Sequence, residues 1–379
     1  MDENFLQEYL TGRAKDGTLR ALPAEKAALD FLSNDYLGMS RDPQLQHRID
    51  QAWRKDDHQL LGGTGSRLLS GNHPLYETLE EQLCEVFQSE AVLVFNSGYQ
   101  ANQSLIVALG GRQDVVLYDE LSHVCLKEGA WLSQARSFAF RHNDIEDLKR
   151  RLRTLNGESK RIFVVTETLF SMDGDFAPIA QILEACEAVG AYLIVDEAHS
   201  TGVYGERGGG WLIERGMADR VFARVYTFGK AIGSHGACVA GSKLLVDYLV
   251  NAGRGFIYTT SLPPHALRTL IEVFGYLPSQ PGRVDQLMRN IEYFRDCYAT
   301  FFGDHAKSHS AIQPIPVPGA ERCAGISATL RKEGYSIMAI RAPTVRAGQE
   351  RLRVCLHSYN TPKEIEGLLR SAAALIMTG

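Results

Sequence analysis

The amino-acid sequence predicts an α/β protein with a large domain built on a mostly parallel sheet flanked by helices, a smaller α+β C-terminal domain and an N-terminal arm. Short apolar runs alternate with amphipathic stretches from about residue 62 to residue 241, and strands that alternate with helices usually pair in parallel. The length of 379 residues also exceeds what one small core needs. We expect the arm at 1–56, the large domain at 57–285 and the small domain at 286–379.

Six apolar runs are predicted to form buried strands of the large domain: AVLVF (91–95), DVVLY (114–118), RIFVVT (161–166), AYLIVD (191–196), RVYTF (224–228) and ACVAG (237–241). Helical periodicity marks 75–87, 179–189, 265–277 and 285–302. The arm should hold a helix, the extended piece LDFLSN and a helix that starts near Asp42. The small domain should hold strands at AIQPIPV, YSIMAI and RLRVCL, and a last helix after Thr361.

Composition excludes several classes of protein. The formal net charge is -5, whereas nucleic-acid binders normally carry a basic surplus, so we expect no nucleic-acid partner. Seven scattered cysteines without a C-x-x-C pair indicate reduced thiols in the cytoplasm. The start MDENFLQEYL lacks the features of a signal peptide, and no apolar run approaches the roughly 20 residues of a membrane span. We therefore expect a cytoplasmic protein with no membrane partner.

Several motifs are absent or misleading. The letters DEAH at 196–199 spell a helicase box, but no phosphate loop of the form G-x-x-x-x-G-K-[ST] accompanies it, because Gly229-Lys230 is followed by alanine. No G-x-G-x-x-G follows the first strand, and neither a G-x-S-x-G elbow nor an H-E-x-x-H helix occurs. Helicase, dinucleotide, serine-hydrolase and zinc-protease chemistries are therefore not supported.

Lys230 follows an apolar strand in VYTFGKAIGSHGA, flanked by small residues. A lysine in such a place is usually a solvated surface residue. However, Thr227 stands three positions before it, and an amine on a tight turn beside a hydroxyl suits a Schiff base with the aldehyde of a small anion.

Asp196 ends a predicted strand in LIVDEAHSTG, at the edge where open α/β sheets bind ligands. A carboxylate there can pair with a protonated pyridine nitrogen, and His199 can bond a phenolate oxygen. The alternative is a helix-capping aspartate with a structural histidine.

Two further segments follow strand ends. In FNSGYQANQ, Gly98 permits close approach, and the amides of Gly98 and Tyr99 can point at a phosphate from a helix N-terminus. The alternative is an ordinary strand-to-helix turn. His123, in YDELSHVCL, can stack on a flat ring, although a lone histidine is more often merely packed. Together these residues predict a pyridoxal-phosphate site.

Eight sequence blocks, in order, resemble the α-oxoamine synthases of the fold-type I pyridoxal-phosphate enzymes: FLSNDYLG, GSRLLSGNH, FNSGYQANQ, LSHVCL, TETLFSMDGD, VDEAHSTGVYG, TFGKAIGSHGA and YTTSLPP. They cover nearly the whole chain and imply a fold-type I aminotransferase-like fold. The blocks AIRAPTVRAGQERLRV (339–354) and GNHPLYETLE (71–80) are most similar to the biotin-pathway branch of that family.

The resemblance implies a role for each matching residue. Lys230 would be the Schiff-base lysine and the acid–base at the substrate α-carbon. Asp196 would pair with the pyridine nitrogen, His199 would bond the ring oxygen, and His123 would stack on the ring with Ser171 nearby. The phosphate would be held by Gly98, Tyr99, Thr227 and, from the partner subunit, Thr260. Asn34 and Arg341 would meet the amino-acid carboxylate. No role is implied for a metal.

The implied activity is a decarboxylative condensation of L-alanine with an acyl-CoA or acyl carrier protein, in a homodimer with shared active sites. Two related reactions of the same family are alternatives: the condensation of glycine with a short acyl-CoA, or of serine with a long-chain acyl-CoA. An alternative from another class of protein is a homologue without catalytic activity that is used for binding. A binding module, however, has no need of Lys230, Asp196, His199 and His123 together.

Overall fold

The structure, a computed structural model, describes residues 3–15, 17–20, 22, 28–56 and 59–378. Contacts group the chain into two units. The large unit comprises Leu37–Ser171 and Phe176–Val284, and the small unit comprises the residues up to Tyr36, Met172–Asp175 and Asp285–Gly379. The three-part division expected from the sequence stays a prediction.

The helices of the described residues are, in chain order, α1 (Asn4–Lys15), α2 (Pro43–Arg54), α3 (Pro74–Val86), α4 (Gly98–Leu109), α5 (Val124–Leu132), α6 (Ile145–Leu155), α7 (Ile179–Glu187), α8 (Trp211–Glu214), α9 (Lys243–Ala252), α10 (Arg254–Ile257), α11 (Pro264–Tyr276), α12 (Pro281–Phe302), α13 (Ala320–Lys332) and α14 (Pro362–Met377). The strands are β1 (Leu29–Asp30), β2 (Ala91–Phe95), β3 (Val115–Asp119), β4 (Arg136–Phe140), β5 (Ile162–Glu167), β6 (Tyr192–Asp196), β7 (Ala223–Thr227), β8 (Ala237–Gly241), β9 (Ile312–Pro316), β10 (Tyr335–Ser336), β11 (Met338–Ile340) and β12 (Arg351–Cys355).

The large unit is built on a seven-stranded sheet in the order β2-β8-β7-β6-β5-β3-β4. The strands from β7 to β4 pair in parallel, whereas β8 runs antiparallel to both β7 and β2. Apolar side chains of the central strands are buried on both faces, because helices cover the two sides of the sheet. The predicted α/β class and all six predicted strands are confirmed.

Strand β4 was not predicted from the sequence. Its residues RSFAF alternate between more and less exposed positions, and the strand lies at the sheet edge with β3 as its neighbour. The side chains of an edge strand are less completely covered than those of central strands. Strand β4 therefore lacks the apolar run by which the other strands were recognised.

The small unit holds two small sheets. Strands β11, β12 and β9 form an antiparallel sheet in that order, and β1 pairs with β10 in parallel. The predicted strand YSIMAI is therefore divided between two sheets. Helix α14 begins at Pro362 after a capping box in which the side chains of Thr361 and Glu364 bond each other's backbone amides, as predicted for its start. Within the described residues, no helix combines the length and the apolar character needed to cross a bilayer.

Candidate active site

The carboxyl ends of several strands of the large unit meet at one edge of the sheet. Glu167 at the end of β5 pairs in register with Asp196 at the end of β6. Phe95 at the end of β2 and Thr227 at the end of β7 both pair with Ala237, the first residue of β8. Because β8 reverses direction, β2 and β7 end on the same edge as β5 and β6, which is where open α/β sheets bind ligands.

The end of β7 lies directly against the start of α4. A Cβ atom built on Gly98 would lie 2.3 Å from Cγ2 of Thr227, so only glycine fits there. The Ser97 side chain caps α4 by accepting a hydrogen bond from the Gln100 amide, which leaves the amides of Gly98 and Tyr99 at the positive end of the helix. The Thr227 hydroxyl is buried and makes no hydrogen bond to any described residue. A helix N-terminus beside an unsatisfied hydroxyl suits a phosphate group.

Asp196 is buried, and the residue is 4% exposed. One carboxylate oxygen accepts a hydrogen bond from the Ala198 amide at 2.8 Å, and the other accepts one from Nδ2 of Asn102 at 2.6 Å. Both donors are neutral. A buried carboxylate held by neutral donors can accept a cationic ligand group, because a positive charge compensates the cost of burial.

Lys230 lies in the tight turn between β7 and β8. The Gly233 amide bonds the Lys230 carbonyl oxygen at 2.8 Å, and the Ser234 amide bonds the Phe228 carbonyl oxygen at 2.8 Å. Burial is the main cause of the pKa shifts of His123 and Glu167, and the positive charge of Lys230 makes a smaller, lowering contribution to each, so its amine lies within electrostatic range of these two groups. Lys230 therefore belongs to the same cluster as Asp196.

His123 caps the N-terminus of α5. Its Nδ1 accepts the Cys125 amide at 3.3 Å and lies 2.9 Å from Sγ of Cys125, while its own amide donates to Oε1 of Glu167 at 2.5 Å. Burial lowers the pKa of the imidazole; the charge of Asp196 opposes this effect and that of Lys230 adds to it. A neutral ring whose Nδ1 is an acceptor carries its proton on Nε2.

Glu167 is a buried carboxyl group that was not predicted as a site residue. Burial raises the pKa of Glu167 to about 8, and the negative charge of Asp196 adds to the rise. Two buried carboxyl groups thus end neighbouring strands, and the raised pKa favours the protonated form of Glu167.

The other predicted residues of the large unit have different surroundings. His199 is buried at 6% exposure in the loop that follows β6, and Ser171 is partly buried after β5. Thr260 is exposed, and its carbonyl oxygen accepts a hydrogen bond from Asn96 at 2.8 Å. Thr260 is thus tied to the loop between β2 and α4, the loop that leads into Gly98.

Asn34 and Arg341 belong to the small unit. The side-chain oxygen of Asn34 accepts hydrogen bonds from Arg353 at 3.0 Å and from the Tyr36 hydroxyl at 3.3 Å. Arg341 donates to the Gly17 carbonyl oxygen at 2.9 Å. Each has defined partners within its own unit, and their assignment to a substrate carboxylate stays a prediction.

Three residues that were not predicted from the sequence contribute to the cluster: Asn102, Cys125 and Glu167. Asn102 was detectable as a polar residue on the apolar face of ANQSLIVAL, and Glu167 as a charged residue that ends the apolar strand IFVVTE. Cys125 gave no signal, because a buried cysteine is among the commonest core residues.

The cluster fits a ligand with an anionic phosphate and a cationic aromatic ring. The unsatisfied Thr227 hydroxyl and the close approach at Gly98 suit the phosphate, and the buried Asp196 suits the ring cation. Pyridoxal phosphate has both groups, and its aldehyde matches the amine of Lys230.

Comparisons with known proteins agree with this geometry. The family model for aminotransferase class I and II matches residues 26–371. The 8-amino-7-oxononanoate synthase of Alkalilimnicola ehrlichii is 38% identical over 365 residues, which cover 96% of this chain and 92% of that protein. Serine palmitoyltransferase from S. paucimobilis with a bound PLP–myriocin aldimine superposes with a TM-score of 0.88 at 26% identity, covering 98% of this chain and 97% of that chain. An 8-amino-7-oxononanoate synthase from Francisella tularensis gives a TM-score of 0.78 at 26% identity, covering 93% and 98%.

Proposed function

The chain belongs to the family of class I and II aminotransferases, and from that premise we propose that it catalyses the 8-amino-7-oxononanoate synthase reaction with pyridoxal phosphate as its cofactor. L-Alanine condenses with pimeloyl-CoA, or with a pimeloyl carrier protein, while carbon dioxide and the thiol carrier leave. The product serves biotin biosynthesis. The seven free cysteines are consistent with a cytoplasmic setting for this enzyme.

One observation carries the proposal: a phosphate cradle, a buried carboxylate and a turn lysine converge at one edge of the sheet. Gly98 and Thr227 form the cradle, Asp196 is the carboxylate and Lys230 the lysine. A protein that only binds a partner has no need of this combination, whereas chemistry at the α-carbon of an amino acid requires all three.

When bound, pyridoxal phosphate supplies an electron sink that stabilises a carbanion at the α-carbon of the amino acid. Lys230 would hold the cofactor through its amine, and the same amine, when free, would take the proton from the α-carbon. Asp196 would keep the ring nitrogen protonated, because its buried carboxylate stabilises a cationic form. His123, with its lowered pKa, would pack against the ring without adding a competing positive charge.

The remaining residues of the large unit orient the cofactor. Gly98, Tyr99 and Thr227 would hold the phosphate, and His199 would donate to the oxygen on the ring. Ser171 would contribute next to the ring. Asn34 and Arg341, which belong to the small unit, would bind the carboxylate of the amino acid, for which the arginine offers a bidentate fork.

The functional unit is a homodimer in which Thr260 reaches the phosphate in the partner's site. The Ser261 amide bonds the Gly65 carbonyl oxygen at 2.9 Å, so the segment of Thr260 and the glycine-rich loop at 62–71 form one surface. Apolar side chains on or next to these segments are strongly exposed, namely Leu61 at 99%, Leu69 at 82% and Tyr258 at 75%. An exposed apolar surface of this kind marks a protein interface.

Subunit mixing tests the homodimer. Unfolding and refolding Lys230→Ala and Thr260→Ala subunits together should give more activity than the mean of the two variants, because half of the dimers are mixed and each mixed dimer has one intact site. Separately refolded variants serve as controls. A sedimentation experiment that finds an active monomer would contradict the shared site.

Substitution of the two central residues tests the function. Lys230→Ala should keep the fold and lose turnover, and Asp196→Asn should bind pyridoxal phosphate more weakly and lose several orders of magnitude in rate, because a neutral amide cannot stabilise the ring cation. Lys243→Ala, at an exposed lysine paired with Asp247 on α9, is the matched control. Near-normal turnover of the Lys230 variant would refute the assignment.

A sister reaction is the second candidate, favoured by the TM-score of 0.88 with serine palmitoyltransferase. A panel of alanine, glycine and serine against pimeloyl-, acetyl-, succinyl- and palmitoyl-CoA, followed by thiol release, separates these reactions. Serine with palmitoyl-CoA as the best pair would replace the proposed reaction. A purified protein that never acquires the visible absorption band of lysine-bound pyridoxal phosphate would favour a non-catalytic binding role.

A further inference from the structure

Two buried side chains outside the predicted set connect Asp196 to His123. Nδ2 of Asn102 donates to Asp196 at 2.6 Å and to Sγ of Cys125 at 3.4 Å, and Sγ of Cys125 lies 2.9 Å from Nδ1 of His123. Asn102 is 1% exposed and Cys125 is 2% exposed. The four side chains therefore form one continuous hydrogen-bonded chain beneath the cluster.

The direction of each hydrogen bond in this chain follows from its ends. The Asp196 carboxylate only accepts, so the Asn102 amide nitrogen must face it, and the second hydrogen of that nitrogen points to Cys125. Burial, with the negative charge of Asp196, raises the pKa of the Cys125 thiol far above its usual value, so the thiol keeps its proton. Because Nδ1 of His123 accepts the Cys125 amide, it carries no proton, so in the contact between Nδ1 and Sγ the thiol is the donor.

Helix packing brings the two residues together. Asn102 lies one turn after Gly98 on α4, so the helix that supplies the phosphate cradle also reaches Asp196. Helix α5 approaches α4 closely at Gly129, where an added Cβ atom would lie 3.1 Å from Cβ of Ile106. This close packing places Cys125 on α5 within reach of Asn102.

We propose that Asn102 and Cys125 are positioning residues: Asn102 fixes the carboxylate of Asp196, and Cys125 fixes the ring plane of His123, so that both groups meet the cofactor ring in one orientation. This inference rests on the proposed function. The χ2 torsion of a histidine is broad, so the His123 ring needs an anchor at Nδ1 to keep one orientation. The short hydrogen bond from Asn102 restrains one oxygen of Asp196 in the same way.

Cys125→Ala and Cys125→Ser test the anchor of His123, with Cys186→Ala as the matched control. Cys186 is a buried cysteine of α7, at 1% exposure, outside the hydrogen-bonded chain. Cys125→Ala should weaken pyridoxal phosphate binding about 3- to 10-fold, the usual effect of one lost hydrogen bond, and reduce the circular dichroism of the visible cofactor band. Cys125→Ser should restore both, because a serine hydroxyl at this position can donate a hydrogen bond to the same Nδ1.

Asn102→Ala tests the support of Asp196. Loss of a hydrogen bond to a charged group should weaken cofactor binding about 10- to 100-fold and shift the pH at which the visible band changes. Asn102→Asp should be worse, because it sets a second carboxylate against Asp196. Thermal unfolding of each apoprotein establishes that the variants fold.

The outcomes separate this inference from the proposed function. If the wild-type protein takes up pyridoxal phosphate, but Cys125→Ala matches Cys186→Ala in affinity and in circular dichroism, the positioning role of Cys125 is overturned and the function stands. The positioning role is also overturned if Cys125→Ser is as impaired as Cys125→Ala, since the effect then reflects packing. A wild-type protein that binds no pyridoxal phosphate overturns both.

Discussion

Gly98 and Thr227 lie so close that the start of α4 and the end of β7 leave no room for a side chain between them. The Thr227 methyl group would be 2.3 Å from any Cβ at position 98, while the hydroxyl on the same side chain is buried without a partner among the described residues. The contact joins two segments that are 129 positions apart in the sequence. It defines the cradle on which the phosphate assignment depends.

Gly98→Ala should weaken pyridoxal phosphate binding about 10- to 100-fold, because the new methyl group displaces Thr227 and moves the helix amides away from the phosphate. Equilibrium titration of the apoprotein measures the effect. Gly282→Ala is the control: Gly282 also lies in the first turn of a helix, α12, and a Cβ atom there meets nothing within 4 Å. Equal affinities of the two variants would contradict the cradle.

Thr227→Val should act in opposite directions on stability and binding. Valine has the same shape and removes a buried hydroxyl that has no partner among the described residues, so the apoprotein should be as stable as the wild type or up to about 1 kcal/mol more stable. Cofactor affinity should fall about 3- to 10-fold, because the phosphate loses a donor. Thr227→Ser should keep the affinity. Denaturant unfolding and cofactor titration check the two effects, and a valine variant with wild-type affinity would exclude the hydroxyl from phosphate binding.

Glu167→Gln should change how the stability of the apoprotein depends on pH. Burial and the charge of Asp196 raise the pKa of Glu167 to about 8 in the folded chain, so the folded chain retains a proton that the unfolded chain releases near its ordinary value of 4.5. The free energy of unfolding of the wild type should therefore fall as pH rises from about 4.5 to about 8.

Glutamine resembles the protonated acid and can still accept the His123 amide. Between about pH 5 and about pH 8.5, Glu167→Gln should gain about 1–3 kcal/mol in unfolding free energy relative to the wild type. Urea unfolding at the two pH values measures this gain. The exposed Glu90→Gln is the control, and parallel pH profiles of wild type and Glu167→Gln would exclude a retained proton.

Asp114→Asn should destabilise the large unit more at neutral pH than in acid. Burial opposes ionisation of Asp114, but two hydrogen bonds from Arg161, at 2.9 and 2.8 Å, and one from the Gly111 amide outweigh it and hold the pKa below its ordinary value. The stabilisation is present above the unfolded pKa of about 3.9 and is lost as pH falls through the folded value.

Because solvent screens the part of Arg161 that is exposed, the expected cost of Asp114→Asn is about 1–2 kcal/mol at about pH 7, and it should be smaller at about pH 3. Thermal or urea unfolding at both pH values measures it. Asp219→Asn, at an exposed position, should cost nothing at either pH. A cost that is equally large in acid would indicate a packing defect instead of a lost ion pair.

The buried strands of the large unit could be predicted because each is a short, mainly apolar run. The edge strand β4 could not, because its side chains at alternate positions, Arg136 and Phe138, are exposed. At the site, Lys230, Asp196 and Gly98 were recognised by their positions after strands. Asn102 and Cys125 were not recognised, because their importance comes from hydrogen bonds that form only in the folded chain. The two residues bond each other; Asn102 also bonds Asp196, 94 positions away, and Cys125 bonds His123, 2 positions away.

The sequence by itself determined the α/β class, the strand ends and the residue types of a pyridoxal-phosphate site, because apolar periodicity and motif spacing are local properties of the chain. Only the tertiary structure decided that β8 runs antiparallel and brings the end of β2 beside β7, which sets Gly98 against Thr227. It also decided which donors hold Asp196 and His123. Strand register and helix approach depend on long-range packing, and no window of sequence encodes such contacts.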